Sequence, residues 1–209
     1  MAQFSAEDIQ SAQGEFRRNL INSATGFKSV SLIGTANNEG ETNLAIFSQI
    51  IHLGASPALV GILFRPHTVV RHTLENIIAA KSFTINHIDA DHYREAHHTS
   101  ARWDESEFIS CGFEPSYVNG IGAPFVKDAP VQIGLKYEQK HDLTINGTHL
   151  IIGSIQYLNI ADEAISEDGF INLESLGVVT CSGLDSYHAT QKLGRLSYAK
   201  TDHQPKDIT

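Results

Sequence analysis

Short apolar runs of strand length, separated by turn signals, fill the first third of the chain and restrict it to a β-rich architecture. SVSLIGTA (residues 29–36) leads through the turn signal NNEG into TNLAIFSQIIHL (residues 42–53), a pattern that predicts a β-hairpin. A third apolar run, ALVGILF (residues 58–64), follows the breaker Ser56-Pro57. We therefore predict three consecutive strands, of which the first two form a hairpin.

The strand-and-turn pattern returns later in the chain. SFTINHI (residues 82–88) and VQIGLKY (residues 131–137) are predicted strands. Asn146-Gly147 is the strongest hairpin signal, because a type I′ turn needs positive φ at both central positions. THLIIGSIQYLNI (residues 148–160) then returns as the partner strand. Five or six strands with hairpin connections indicate a β-barrel decorated by helices.

Helical periodicity marks a smaller part of the chain. Ser5 to Asn22 is predicted as one amphipathic helix that begins with a capping box of Ser5 and Asp8. A second helix is predicted from about Val70 to Lys81, and residues 90–110 are helical or loop-like. The single tryptophan, Trp103, is expected in the core. The fold class is therefore mainly β with flanking helices.

Length and charge narrow the possible functions. The 209 residues suit a single domain over 1–209, with a core of roughly 15–199 and a polar, frayed tail over 200–209. Fifteen basic against 24 acidic residues give a net charge of −9, which argues against a nucleic-acid or anionic-membrane partner. No run approaches 18 apolar residues, and MAQFSAEDIQSAQGEF has no apolar signal core. We expect a cytoplasmic protein.

Motifs of the common side-chain chemistries are missing from the sequence. There is no P-loop, HExxH, CxxC or GxSxG, and Gly120-Ile121-Gly122 follows no predicted strand, as a Rossmann site requires. Cys111 and Cys181 are too few for a disulfide scaffold and are expected to be structural thiols. An enzyme with this sequence would rely on a cofactor for its chemistry.

Histidines cluster in the segment after residue 90. His92, His97 and His98 lie near Asp91 and Glu95. A helical metal pair needs ligands four residues apart on one face, whereas His92 and His97 are five apart. We predict a polar helix end here and no metal site.

Hydrogen-bond donors are concentrated just before the second predicted helix. This basic loop carries Arg65, His67, Thr68, Arg71, His72 and Thr73. It leads into a helix N-terminus, where free N–H groups and the helix dipole favour an anion. The segment fits either a phosphate site or an ordinary capped helix with two solvated arginines.

Taken in order, these segments resemble the flavin-reductase-like family of the FMN-binding split-barrel superfamily. ATGFKSVSLIGTANNEGETNLAIFSQII resembles the first two strands of that family, and SPALVGILF, RHTLENI and SFTINHI follow in the same order. APFVKDAPVQIGLKYEQ and GTHLIIGSIQYL are similar to its later hairpin, and LGRLSYA to its C-terminal signature. The resemblance covers roughly residues 15–199, and the ordered series is more specific than any one motif.

The resemblance implies a six-stranded antiparallel split β-barrel, a homodimer, and FMN bound near the subunit interface. It implies an NAD(P)H-dependent flavin reductase in which NADH or NADPH gives a hydride to the flavin N5, so that no catalytic side chain is required. Electrons would then pass to free flavin, oxygen, a quinone or a partner oxygenase. The alternative is an FMN-binding electron-transfer or flavin-storage protein of the same fold, without nicotinamide turnover.

The same resemblance implies the cofactor-binding residues. The flavin ring would lie along one strand segment, contacted largely through its backbone: Asn43, Leu44, Ala45, Ile46, Phe47 and Ser48. The phosphate would be held by Arg71, His72 and Thr73, with Arg65 and Thr68 as secondary candidates. Arg195 and Tyr198 would close the pocket from either subunit.

Two departures from the family pattern bear on specificity. Phe47-Ser48-Gln49 stands where many members have paired serines, which removes part of the expected hydroxyl contact with the flavin. The segment His97-His98-Thr99-Ser100 is unusually rich in histidine. We predict that His97 and His98 tune the electron donor or acceptor and leave the affinity for FMN unchanged.

Overall fold

The computed structural model describes residues 1–66, 68 and 71–208. Its helices are α1 (Ala6–Ser11), α2 (Gly14–Ala24), α3 (His72–Ala80), α4 (Tyr93–His98) and α5 (Glu107–Ser110), with a 3₁₀ turn at Asp162–Ala164. Its strands are β1 (Lys28–Ser29), β2 (Ser31–Ala36), β3 (Thr42–Phe47), β4 (Ile50–Ala55), β5 (Ala58–Phe64), β6 (Ser82–His87), β7 (Pro115–Ser116), β8 (Phe125–Val126), β9 (Val131–Leu143), β10 (Thr148–Ile160), β11 (Thr180–Ser182), β12 (Ser186–His188), β13 (Arg195–Leu196) and β14 (Asp207–Ile208).

Seven antiparallel strands form the main sheet, in the order β3-β2-β6-β9-β10-β5-β4. The outer strands, β3 and β4, are consecutive in sequence, so the sheet curls and Ser48 and Gln49 bridge its two edges. Near this seam the Leu63 N–H donates to the Gln49 carbonyl at 3.0 Å, and the Ser29 hydroxyl donates to the Ile50 carbonyl at 3.4 Å. The split-barrel architecture is confirmed, with one strand more than the six expected because residues 42–53 form two strands.

Two apolar clusters lie on opposite faces of the sheet, as strand alternation requires. The barrel interior contains Ile33, Ile62, Phe83, Leu135 and Ile151, each fully buried. The second cluster joins the outer face to α4 and α5 and includes Leu32, Leu44, Ile88, Ala96 and Phe108. Each fully buried aliphatic or aromatic side chain contributes roughly 1.5–3 kcal/mol, so both faces of β2 and β3 are fixed by burial.

The N-terminal segment differs from the single helix expected. The Ser5 and Asp8 capping box is present, but the chain leaves the helical conformation at Ala12 and Gln13, and Gly14 has φ +59°. Neither α1 nor α2 contains a buried residue. Periodicity alone therefore did not produce one continuous helix, because without a buried face the segment depends on its helical propensity, which Gly14 lowers.

The β9–β10 connection and the C-terminal tail also differ from the sequence-based predictions. Residues 144–147 connect β9 to β10 as expected, but among Asn146 and Gly147 only the glycine has positive φ. The connection is therefore a four-residue loop and not a type I′ turn. The tail is not simply frayed, since β13 pairs with β14 and Arg195 bonds Asp168 at 2.5 Å. No helix within the described residues is long and apolar enough to cross a membrane.

Candidate functional site

A buried polar network joins β3 to the start of α3. The Asn43 side-chain amide donates to the Thr73 hydroxyl at 3.0 Å and to the Thr35 hydroxyl at 3.4 Å. Asn76, one turn further along α3, donates to Thr35 at 3.2 Å. All four side chains are buried. Because Thr73 accepts from Asn43, its own hydroxyl proton is free to donate to a second acceptor.

The outer edge of β3 presents backbone donors. The Leu44 N–H points away from the sheet and donates to the Glu107 carboxylate at 2.9 Å. Backbone groups of an edge strand alternate in direction, so the Ile46 N–H points the same way with no partner in the sheet. The Leu44 side chain is fully buried, and its N–H is taken by Glu107, so Leu44 offers no donor to a ligand. Ala45 is half-buried and lies opposite Ile33 in the β2–β3 pair.

Phe47 and Ser48 end the strand at the barrel seam. Phe47 packs its ring edgewise on Phe64, with centroids 4.8 Å apart, and belongs to the barrel core. The Ser48 side chain lowers the pKa of the Cys181 thiol, an effect smaller than the opposing effect of burial. Burial raises the pKa of the Cys181 thiol, and of the Cys111 thiol as well. Both cysteines are free and buried, as expected.

The N-terminus of α3 offers a second set of donors. Arg71 occupies the N-cap position without a capping side-chain bond among the described residues. Its carbonyl accepts the N–H groups of Leu74 and Glu75, so the N–H groups of His72 and Thr73 have no acceptor within the helix. The Arg71 Nε donates to the Pro66 carbonyl at 3.3 Å, and this bond leaves the two terminal nitrogens of its guanidinium available.

The remaining basic-loop residues flank this helix end. Arg65 and Thr68 are exposed, and His72 is exposed at the first helical position. His67, and Val70 at the expected start of the helix, lie outside the described residues. The Asn43–Thr73 bond brings the α3 N-terminus beside β3, so the two groups of predicted cofactor residues are neighbours in space.

Arg195 and Tyr198 lie apart from this arrangement within one chain. The Arg195 guanidinium bonds Asp168, lowering the pKa of that carboxyl, and lies over the Phe170 ring at 4.1 Å. Tyr198 is almost fully exposed. No contact among the described residues joins either side chain to the β3 edge, so their closing role stays a prediction.

The histidines after residue 90 have separate partners. His92 bonds Asp89 at 2.7 Å, His97 bonds the Tyr187 hydroxyl at 2.8 Å, and His98 lies edgewise on Trp103 with ring centroids 4.7 Å apart. Within the described part of the chain, no group of three metal-ligating side chains converges. Trp103 is one-third exposed, so its expected core position is wrong; its indole N–H donates to the His98 carbonyl instead.

Two concavities lie away from the β3 edge. A cavity of about 190 Å³ is bordered by His87, Asp89, His92, Glu114 and Asp128. Desolvation there lowers the pKa of His87 to about 4, so this imidazole is neutral at pH 7. A cleft of about 300 Å³ lies between α4 and β12 and contains His97. At the β3 edge itself, the segment at α5 covers Thr42 and Leu44 through Ser106 and Glu107, whereas Ala45 to Ser48 are half-buried.

Tyr187 was missed by the sequence reasoning. It contacts His97 from 90 residues away, and no local motif marks such a long-range pair. Burial raises its pKa to about 12, with smaller contributions from Cys181 and Asp185. Glu107, Thr35 and Asn76 were missed for the same reason, because each partner lies on a different element.

Comparison with known proteins gives a consistent family signal. The sequence model of the flavin reductase like domain matches residues 26–174. A crystal structure of a candidate flavin reductase with a split barrel domain, from Shewanella frigidimarina, is 45% identical, with a TM-score of 0.92 over 95% of this chain and 100% of that one. The comparison with curated proteins returned no match.

Two further crystal structures share the fold at lower identity. Nitrilotriacetate monooxygenase component B from Bacillus cereus is 20% identical, with a TM-score of 0.81 over 94% of this chain and 98% of that one. The 2-nitrobenzoate 2-nitroreductase of Pseudomonas fluorescens is 22% identical, with a TM-score of 0.81 over 96% and 98%.

Proposed function

This chain belongs to the flavin reductase like domain family, and from that premise we propose that it is an NAD(P)H:flavin oxidoreductase that binds FMN. The family and the split-barrel fold support a flavin-related oxidoreductase. The choice of FMN as cofactor rests on the chemistry of the β3 edge and the α3 N-terminus, and the choice of NADH or NADPH as donor rests on the family.

The observation that most supports FMN binding is the contact between β3 and the N-terminus of α3. The Asn43–Thr73 bond sets an edge strand with an outward N–H at Ile46 beside the N-terminus of α3, where Arg71 lies next to two N–H groups that have no acceptor within the helix. A flavin ring needs hydrogen-bond donors along its polar edge, and a phosphate needs cationic and backbone donors. The two elements supply both sets side by side, so the donor chemistry fits FMN.

Each residue then has a definite task. Arg71 binds two phosphate oxygens through its guanidinium, which matches the geometry of a phosphate. Thr73 donates its hydroxyl to the same group while it accepts from Asn43. Ile46 and Ser48 hold the ring edge, where reduction builds negative charge that donors stabilise. FMN held by these residues would supply the redox chemistry, the uptake of a hydride, that the side chains themselves cannot provide.

The exposed apolar side chains of the edge strand β4 favour a homodimer. Ile51 and Leu53 on the edge strand β4 are each 41% exposed, and apolar edge strands are normally covered. A second subunit lying against this side would also bring an Arg195 and a Tyr198 to the site. We propose that the functional unit is a dimer with flavin near its interface.

The proposed electron acceptor is supported by the shared fold alone. The fold shared with a monooxygenase component supports delivery of reduced flavin to a partner oxygenase. The competing function is electron transfer or flavin storage by a protein of this fold. Turnover of NADH or NADPH distinguishes a flavin reductase from such a protein.

The visible spectrum of the purified protein tests this proposal. The protein is loaded with FMN, freed of excess cofactor, and titrated anaerobically with NADH and, separately, with NADPH. We expect flavin absorption bands that one donor bleaches within seconds, and parallel loading with FAD should give weaker retention. A stable yellow protein that neither donor bleaches would support the storage or electron-transfer function instead.

A further inference from the structure

The cavity of about 190 Å³ lies on the outer face of the main sheet and has an apolar floor. The buried side chains of Leu32, Ile88 and Val126 form this floor, and the half-buried Phe113 ring stands in the wall. Leu32 lies opposite Ile46 in the β2–β3 pair, so the cavity is one strand removed from the proposed flavin strand. An apolar cavity of about 150 Å³ can hold a benzene molecule. This space therefore has room for one six-membered ring with a short substituent.

One ring nitrogen of His87 is available to a ligand in this cavity. The Nδ1 atom bonds the hydroxyl of the fully buried Ser31 at 2.8 Å, so the ring borders the cavity with its remaining edge. Within the described residues, Nε2 makes no hydrogen bond. Desolvation lowers the pKa of His87 to about 4, which keeps the imidazole neutral at pH 7. When the proton is on Nδ1, Nε2 is an acceptor and can take an N–H from a ligand.

Carboxylates dominate the charge around the cavity. Asp128 is exposed and pairs with no cation in the described part of the chain. The Oδ1 atom of the half-buried Asp89 accepts from His92 at 2.7 Å, whereas its Oδ2 atom has no hydrogen-bond partner among the residues that the structure describes. Glu114, by contrast, pairs with Lys127 at 2.8 Å. The remaining negative charge repels an anion and attracts a cation.

We propose that this cavity binds a small organic cation, a protonated primary amine carried on a single six-membered ring. The ring packs on the apolar floor and on Phe113, and the ammonium donates to Nε2 of His87 and to Asp89. An ammonium has three donors and no acceptor, which suits a neutral imidazole nitrogen beside carboxylates. The Phe113 ring adds an attraction for a cation at its face. None of the proposed flavin-binding residues borders this cavity, so the site does not depend on the proposed function.

Titration followed by NMR tests this site on the purified full chain, and bound flavin is not required. The probes are benzylammonium and benzyl alcohol, which are nearly equal in size and differ in charge. Binding is observed at the imidazole nitrogens, where the His87 signal is identified by its loss in His87→Gln. Asp128→Asn, and the double variant Asp89→Asn with Asp128→Asn, remove charge at constant size. Asp162→Asn, at an exposed position of the 3₁₀ turn that does not border the cavity, is the matched control.

We expect benzylammonium to shift the His87 signal with a Kd on the order of 1 mM, as suits a ligand of this size. Benzyl alcohol should bind about tenfold more weakly, because it lacks the charge. Asp128→Asn should raise the benzylammonium Kd about threefold and the double variant about tenfold, the effect of charges at a partly exposed site. Asp162→Asn should leave the Kd unchanged.

Two results would overturn the proposal. Equal affinities for the two probes, or a wild-type Kd in the double variant, would mean that the cavity does not select a cation. A His87 signal that stays in place at saturating benzylammonium would mean that the amine does not enter the cavity.

Discussion

The Asn43 side-chain amide donates to the hydroxyl of Thr73 at 3.0 Å, between two buried residues that lie 30 positions apart. This bond ties the β3 strand to the first turn of α3. An unsatisfied buried amide costs about 1–3 kcal/mol, so the bond is maintained in the folded state. It fixes the spacing between the strand proposed for the flavin ring and the helix end proposed for the phosphate.

Thr73→Val should therefore destabilise the protein by about 1–3 kcal/mol, because the isosteric valine cannot accept from Asn43. Thr73→Ser keeps the hydroxyl and should recover most of that loss. Thr144→Val, in the exposed β9–β10 loop, is the control and should change little. Urea unfolding followed by circular dichroism gives all three values; equal stabilities for the two valine variants would disprove the role of the bond.

His87 should make stability depend on pH. Its pKa is lowered to about 4 by desolvation, below the ordinary value near 6.5. The unfolded chain therefore binds a proton that the folded protein excludes, so stability is lost as the pH falls from 6.5 towards 4. His87→Gln should remove on the order of 2–3 kcal/mol of this loss.

The pH dependence of urea midpoints between pH 4 and 7 measures this effect. Asp89, Glu114 and Asp128, which border the same cavity, are present in both proteins, so their contribution cancels in the difference. His141→Gln, at an exposed position on β9, is the matched control. A His87→Gln profile parallel to that of the wild type would mean that His87 titrates normally.

The open edge beside β4 should be covered by a second copy of the chain. Light scattering at micromolar concentration should give the mass of a dimer. Leu53→Lys should weaken the dimer by at least tenfold, because a charge would be buried in an apolar contact. A monomer that nevertheless binds FMN tightly would rule out a dimeric site.

Replacing both His97 and His98 by alanine should change the turnover with NADH or NADPH and leave the FMN affinity within a few-fold. FMN affinity should be unaffected because neither histidine contacts the proposed flavin residues on β3 and α3 among the described contacts. His97 contacts Tyr187, and His98 contacts Trp103. Steady-state kinetics and FMN titration measure the two effects separately. A large loss of FMN binding would refute the prediction.

The sequence predicted elements wherever local pattern and tertiary packing agree. The run ALVGILF coincides with β5 (Ala58–Phe64), since its residues are buried in the sheet. The expected N-terminal helix broke at Gln13 because neither of its two parts contains a buried residue that would stabilise a continuous helix. The 42–53 run broke at Ser48 because the barrel seam, a long-range feature, lies there.

The candidate site was predictable only where its residues are close in sequence. Arg71 to Thr73 follow one another, and their helix end is visible in the sequence as a loop rich in donors. The roles of Glu107 on the β3 edge and of Tyr187 beside His97 depend on contacts made over 63 and 90 residues. Such contacts arise from topology, which no local pattern encodes.

The ratio of FMN to riboflavin affinity in Arg71→Ala tests the central claim most directly. If Arg71 binds the phosphate, its loss removes one or two charge-assisted bonds, and FMN should bind about 10- to 100-fold more weakly. Riboflavin, which lacks the phosphate, should bind the variant as it binds the wild type. Arg71→Lys should recover only part of the loss, because a point charge cannot bind two oxygens in the same way. Equal losses for FMN and riboflavin would contradict the account, leaving Arg71 a structural role and moving the phosphate site to Arg65 and Thr68.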